Sequence, residues 1–193
     1  MSLLIVDACP RGEGLSRTLK LLDAFLQGYQ GERQLLRLAG CSLIPYDGAM
    51  VERREALIQA GRTQDPMFDL ARQFAQADQI LIAAPYWDLS FPSALKVYIE
   101  HIFARTITFM YDDSGPVGLC GARRMGLLTT AGSPIPKGLN LGGSYLRAVG
   151  NMLGIPAFHQ VTAQGLDIEG APVEAILASA CRRARKLGRT FSS

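Results

Sequence analysis

Residues 79–103, QILIAAPYWDLSFPSALKVYIEHIF, set the frame for the whole chain. The run 79-QILIAA-84 has strand length and is apolar without alternation, as in a strand covered on both faces. Leu95, Tyr98, Ile99, Ile102 and Phe103 then recur at i, i+3, i+4, i+7 and i+8, the stripe of an amphipathic helix. Between them lies 85-PYWDLSFP-92. A segment that only joined two elements would be polar and rich in Gly, Asn or Ser. This one carries Tyr86 and Trp87, the only tryptophan of the chain, and is suited to hold something flat.

The same strand, loop, helix unit appears on either side. The stretch 3-LLIVDA-8 reads as a strand, and Leu19, Leu22, Phe25, Leu26 and Tyr29 follow at helical spacing. Further strands are predicted over 33–40, 123–132 and 157–165. Helices are predicted over 66–77, where Pro stands at the start, and over 141–154 and 170–187. Within 42–65 the run VERREALIQAG suggests a short helix, and 104–122 reads as irregular. Five strands alternating with helices imply an α/β fold, a doubly wound and mostly parallel five-stranded sheet with helices on both faces. Such sheets bind ligands beyond the carboxyl ends of their strands, where strand order reverses. Three loops are thereby singled out: 9-CPRGEGLSRT-18, 85–92 and 129-TTAGSP-134.

The first loop opens directly into a helix. Free amides there, with the hydroxyls of Ser16 and Thr18 and the guanidinium of Arg11 or Arg17, are suited to a phosphate. It is neither the dinucleotide fingerprint, because Arg17 stands where the third Gly belongs, nor a Walker loop, because no GK[ST] follows. The third loop is small and contains Gly132, which allows close backbone approach to the polar atoms of a ring. A phosphate cradle beside a clamp for a flat heterocycle describes a mononucleotide such as flavin mononucleotide.

Composition narrows the classes. A chain of 193 residues, 48% hydrophobic and 19% charged, is expected to be one globular domain over 1–193. The net charge of +3 is too small and too scattered to point to nucleic acid. The basic cluster 182-RRARKLGR-189 falls on a helix striped by Val173, Ile176, Leu177, Ala180, Ala184 and Leu187, where it reads as a solvated outer face. There is no leader-like start and no run of roughly 18 apolar residues, so a cytoplasmic protein without a membrane span is expected. Cysteines 9, 41, 120 and 181 form no CxxC pair, and two histidines, His101 and His159, cannot build a histidine-rich metal site. His101 reads as a surface residue and His159 as a core histidine. No G-x-S-x-G elbow is present to suggest a hydrolase.

The Ser-Arg-Thr loop, the segment APYWDLSFPSALKVYIEHIF, residues 106–119 (TITFMYDDSGPVGL) and LTTAGS at 128–133 together resemble the flavodoxin-like, FMN-dependent NAD(P)H:quinone oxidoreductases and azoreductases, in the family's order. The most specific element is 108-TFMYDDSGPVGL-119. The resemblance implies a flavodoxin-like sheet, bound FMN, NADH or NADPH as donor, a quinone or azo acceptor, and a homodimer with sites at the subunit interface. It implies that Ser16, Arg17 and Thr18 hold the phosphate. Pro85, Tyr86, Trp87, Asp88 and Leu89 would line the isoalloxazine, with Thr130, Ala131, Gly132 and Ser133 on its pyrimidine side. Phe109 and Tyr111 would border the substrate pocket, in their own or the partner subunit, and the candidates for proton donor to the reduced acceptor are Tyr111 and water, ahead of Tyr86. Cys9 stands where members usually carry serine and Asp88 where many carry asparagine; a carboxylate at 88 disfavours an anionic reduced flavin. Ala131 replaces a larger residue of many azoreductases. Two other functions share this frame: an FMN-binding electron carrier or redox sensor without NAD(P)H turnover, and a binding module that has lost flavin. The carrier class tends to be acidic and to have a T-x-T-G-x-T loop, which this chain lacks.

Overall fold

Leu3 to Val6 are all fully buried, and so are Ile80 to Ala83, which fits strands with neighbours on both edges and helices on both faces. The computed structural model describes residues 1–12 and 14–192, so Glu13 of the first loop lies outside the described residues. In chain order the elements are β1 (Ser2–Asp7), α1 (Arg17–Leu26), β2 (Glu32–Arg37), α2 (Gly48–Gln59), α3 (Asp69–Gln76), β3 (Gln79–Ala83), α4 (Ser93–Ile102), β4 (Phe109–Asp112), β5 (Gly115–Gly118), β6 (Arg124–Thr130), α5 (Leu141–Met152), β7 (Ala157–Ala163) and α6 (Val173–Ser192). The sheet order is β2-β1-β3-β6-β7, with every pairing parallel. This is the doubly wound, five-stranded sheet expected from the sequence.

Alternation along the strands divides the core. Leu3, Ile5, Leu81, Ala83, Leu128 and Val161 pack under α1 and α6, while Leu4, Val6, Ile80, Ile82 and Leu127 pack under α3, α4 and α5. Two glycines let α1 and α6 approach closely: a Cβ on Gly188 would stand 2.2 Å from the Phe25 carbonyl, and one on Gly28 would stand 2.1 Å from that of Arg185. The α6 stripe is as expected, with Leu177, Ala180 and Ala184 fully buried, though the helix runs on to Ser192.

Three features differ from the sequence expectation. The segment 33–40 yields strand only to Arg37 and then a single 3-10 turn, and β2 is a largely exposed edge. The 42–65 helix starts earlier, at Gly48, because the Asp47 carboxylate caps it by accepting from the Met50 amide at 2.8 Å. The stretch 104–122 is not irregular, since β4 and β5 form an antiparallel hairpin outside the main sheet. Its tip is tightened by Asp112, which accepts from the amide and hydroxyl of Ser114.

The histidines have structural posts. His101 Nε2 lies 2.9 Å from the Ile44 carbonyl, and its ring stacks on Tyr46 at 4.5 Å, so it ties residues 44–46 to α4. His159 is half-buried and edge-on to Phe191 at 5.8 Å; burial, then the charge of Arg124, lowers its pKa. All four cysteines are free.

Candidate active site

The reversal of strand order falls between β1 and β3. Asp7 pairs with Ala83, which pairs with Leu128, so these three strands end nearly level. The loops that follow them, joined by the loop after β7, enclose a cleft of about 320 Å³.

One wall is the entry to α1. Ser16 is its N-cap, extended in backbone, and its hydroxyl accepts from the Leu19 amide at 3.3 Å. The amides of Arg17 and Thr18 have no intrahelical partner and belong to the positive end of the helix dipole. Thr18 is buried, and its Oγ1 lies 2.6 Å from that of Thr130, so this hydroxyl pair ties α1 to the end of β6. Arg17 reaches across to the loop after β7, where Nη1 donates to the Leu166 carbonyl at 3.0 Å and to Asp167 Oδ1 at 2.8 Å. That hydrogen bond holds the Asp167 carboxyl below the usual carboxylate range. Arg11 is exposed at the mouth of the same cleft.

The opposite wall is the loop after β3. The Tyr86 amide donates to the Thr130 carbonyl at 2.9 Å, which continues the ladder past the end of the strand. Trp87 and Ser90 then exchange backbone hydrogen bonds at 3.2 and 2.6 Å. The two residues between them, Asp88 and Leu89, have φ of +49° and +65°. Positive φ at both central positions is the signature of the mirror-image hairpin turn. Asp tolerates it; a leucine there is strained, and such strain collects at binding sites. The turn presents Trp87 with 45% of its surface exposed, and the Tyr86 hydroxyl is anchored on the Leu139 carbonyl at 2.9 Å.

Of the residues named from the sequence, Arg11, Ser16, Arg17, Thr18, Pro85, Tyr86, Trp87, Thr130 and Gly132 line this cleft together. Asp88 and Leu89 sit at the exposed turn, and Ser133 is exposed beyond Gly132. Ala131 is buried, with its amide on the Ala163 carbonyl at 2.8 Å. Cys9 lies beneath the loop rather than on the cleft wall: its thiol points to the Ala83 carbonyl at 3.6 Å, and burial, then the charge of Asp7, pushes its pKa up to about 12. Phe109 and Tyr111 pack edge to face at 5.5 Å on the hairpin, away from the cleft lining of their own chain. Asp167 was not singled out from the sequence. It lies in the loop after the fifth strand of the sheet, at a carboxyl end where the rule for ligand sites also applies.

The donor set suits FMN. Two helix amides, the Ser16 hydroxyl and two guanidiniums gather on one wall, where a phosphate monoester is held best. Gly12 and Gly14 leave open space where a Cβ would point, so the backbone is free to approach such a group. Tyr86 and Trp87 supply aromatic surface for a ring on the other wall.

The chain belongs to the flavodoxin-like fold family, whose model matches residues 1–187. It is 34% identical over 197 residues to the FMN-dependent NADH:quinone oxidoreductase 2 of Clostridium acetobutylicum, spanning 97% of this chain and 98% of that one. It is 31% identical over 199 residues to the FMN-dependent NADH:quinone oxidoreductase of Caldicellulosiruptor saccharolyticus, spanning 98% of each. Among solved structures, the azoreductase of Bacillus anthracis str. Sterne superposes with a TM-score of 0.88 at 23% identity, covering 98% of this chain and 99% of that one. An FMN-dependent NADH-azoreductase from Bacillus anthracis str. Ames Ancestor in complex with FMN gives 0.84 at 22% identity, covering 100% and 99%.

Proposed function

We propose that this chain is an FMN-dependent oxidoreductase that takes electrons from NADH and delivers them to quinones or azo compounds, built as one flavodoxin-like domain over residues 1–193. One observation carries the reading: a wall of amides and guanidiniums faces an aromatic wall at the strand-order reversal, in a chain that matches FMN-dependent NADH:quinone oxidoreductases over nearly its whole length.

FMN, held there, would supply the redox chemistry that links the nicotinamide donor to the acceptor. The protein's part is binding and orientation. Arg11, Arg17, Ser16 and the first amides of α1 hold the phosphate, and Pro85, Tyr86 and Trp87 hold the ring system. Tyr111 donates a proton to the reduced acceptor, with Phe109 packed behind it. Two copies of the chain assemble so that the hairpin of one closes the cleft of the other. Supporting this assembly, Met110, Tyr111 and Leu119 are exposed at 43%, 60% and 39%, an apolar group that a partner would cover. A cytoplasmic location accords with the chemistry of a nicotinamide-fed reductase, and among the described residues no helix is long and apolar enough to cross a membrane.

The test is a visible spectrum of protein loaded with FMN and freed of excess, followed anaerobically through additions of NADH and NADPH. Bleaching by NADH and recovery with a quinone is the expected result, and comparison with NADPH identifies the donor. A band unmoved by either nucleotide would make the chain a carrier or sensor, and no retained flavin would leave a binding module.

A further inference from the structure

Arg17 stands at the first turn of α1, yet both its hydrogen-bond acceptors lie about 150 residues further along the chain. They are adjacent and themselves fixed: the Leu166 amide donates to the Ala131 carbonyl at 3.2 Å and the Asp167 amide to the Gly132 carbonyl at 2.8 Å. The Asp167 carboxylate occupies space that residue 132 leaves open as glycine, where a Cβ would come within 2.2 Å of Oδ2. Both bonds are made by a single guanidinium nitrogen, Nη1. Among the described residues, Nε and Nη2 make no hydrogen bond, and Arg17 lines the cleft beside Ser16 and Arg11. A guanidinium is a planar fork, so clamping one corner sets the direction of the other N–H groups.

We propose that Asp167 is a positioning residue which, with the Leu166 carbonyl, aims the free edge of Arg17 at the phosphate of the flavin. The inference rests on the flavin reading and adds to it a residue that does not itself touch the phosphate. Its consequence is that the arginine is ordered before the ligand arrives, so binding does not bear the loss of freedom of a long side chain.

Simple electrostatics makes the opposite forecast. A carboxylate near a phosphate repels it, so removing Asp167 would tighten binding if charge alone mattered. Dissociation constants for FMN and riboflavin, read by flavin fluorescence on wild-type, Asp167→Ala, Asp167→Asn and Asp167→Ala/Arg17→Ala proteins, separate the two. Positioning predicts that Asp167→Ala weakens FMN about tenfold and leaves riboflavin unchanged. Asp167→Asn, which keeps an acceptor for Nη1 while shedding the charge, binds FMN at least as well as wild type. Adding Arg17→Ala to Asp167→Ala costs little more. Tighter or unchanged FMN binding by Asp167→Ala, an equal loss of riboflavin, or an Asn variant as weak as the Ala variant would each overturn the proposal. Failure of the wild-type protein to bind either flavin would overturn the flavin reading, and the proposal with it, before any variant is compared.

Discussion

Thr18 and Thr130 place their hydroxyl oxygens 2.6 Å apart with both side chains buried, and so join the first turn of α1 to the last residue of β6. Valine at either position alone strands the other hydroxyl away from water, at a cost of about 1–2 kcal/mol. In a chain of this size that lowers the melting temperature by roughly 2–4 °C per kcal/mol. The double variant, with both hydroxyls gone, is expected to recover most of the loss. A thermal-melt double-mutant cycle measures the coupling, and strictly additive losses would show that the pair is not a unit.

Trp87→Ala removes the exposed face of the aromatic wall. The expected loss is about 1.5 kcal/mol of flavin affinity, roughly tenfold. The proposed contact of the indole is with the ring, so FMN and riboflavin should suffer alike, in contrast to Arg17→Ala, which should spare riboflavin. Unchanged retention of both flavins after gel filtration would remove Trp87 from the site.

Two thiols, Cys9 buried and Cys120 half-buried, give a pH signature. Cys9 and Cys120 are raised from the ordinary 9.0 to about 12, in both cases chiefly by burial. A folded pKa above the unfolded one means that the contribution to stability is whole below pH 9 and is lost as the pH climbs toward 12. The loss is at most about 1.4 kcal/mol per pH unit for each thiol. Chemical denaturation between pH 8 and 11 should show stability falling only above about pH 9, and replacing Cys9 with Ala should flatten that fall. Native alkylation near pH 8 should leave both thiols unmodified; rapid labelling of Cys9 without unfolding would contradict its place beneath the loop.

A methyl group at Gly118 would meet the Gly154 amide nitrogen and the Leu153 carbonyl carbon, both at 2.0 Å. Those atoms are backbone, so relief requires moving the hairpin or the turn after α5. Gly118→Ala should cost about 3 kcal/mol. It should lower the melting temperature, and because the hairpin is not in the cleft lining of its own chain, any loss of FMN affinity should arise only through the partner's cleft that the hairpin is proposed to close. Full stability in this variant would mean that the hairpin is not docked there.

The fold was legible wherever burial decides it. The stretches 3–8, 79–84 and 123–132 contain most of β1 and all of β3 and β6, whose residues are buried on both faces as in strands covered by helices. The hairpin was not legible, since β4 and β5 have four residues each, include Gly115, Pro116 and Gly118, and leave most of their side chains in water. The edge strand β2 ended early for a related reason: with little covering it, hydrophobic pattern does not mark its end. Local chemistry pointed to both walls of the cleft, because a Ser-Arg-Thr helix entry and a Tyr-Trp pair show themselves within a few residues. Asp167 makes its case through Arg17 and Gly132, contacts that exist only after the chain has folded back on itself.

The ion pair between Arg17 and Asp167 spans 150 positions. A polypeptide emerging from the ribosome therefore exposes its first loop long before it has the partner that completes it. Neither Arg17 nor the Thr18 hydroxyl has its cross-strand partner until Thr130, Leu166 and Asp167 have left the exit tunnel. Flavin binding that depends on this pair must wait until the loop after β7 has been made, and chains truncated before β7 are expected to retain flavin poorly.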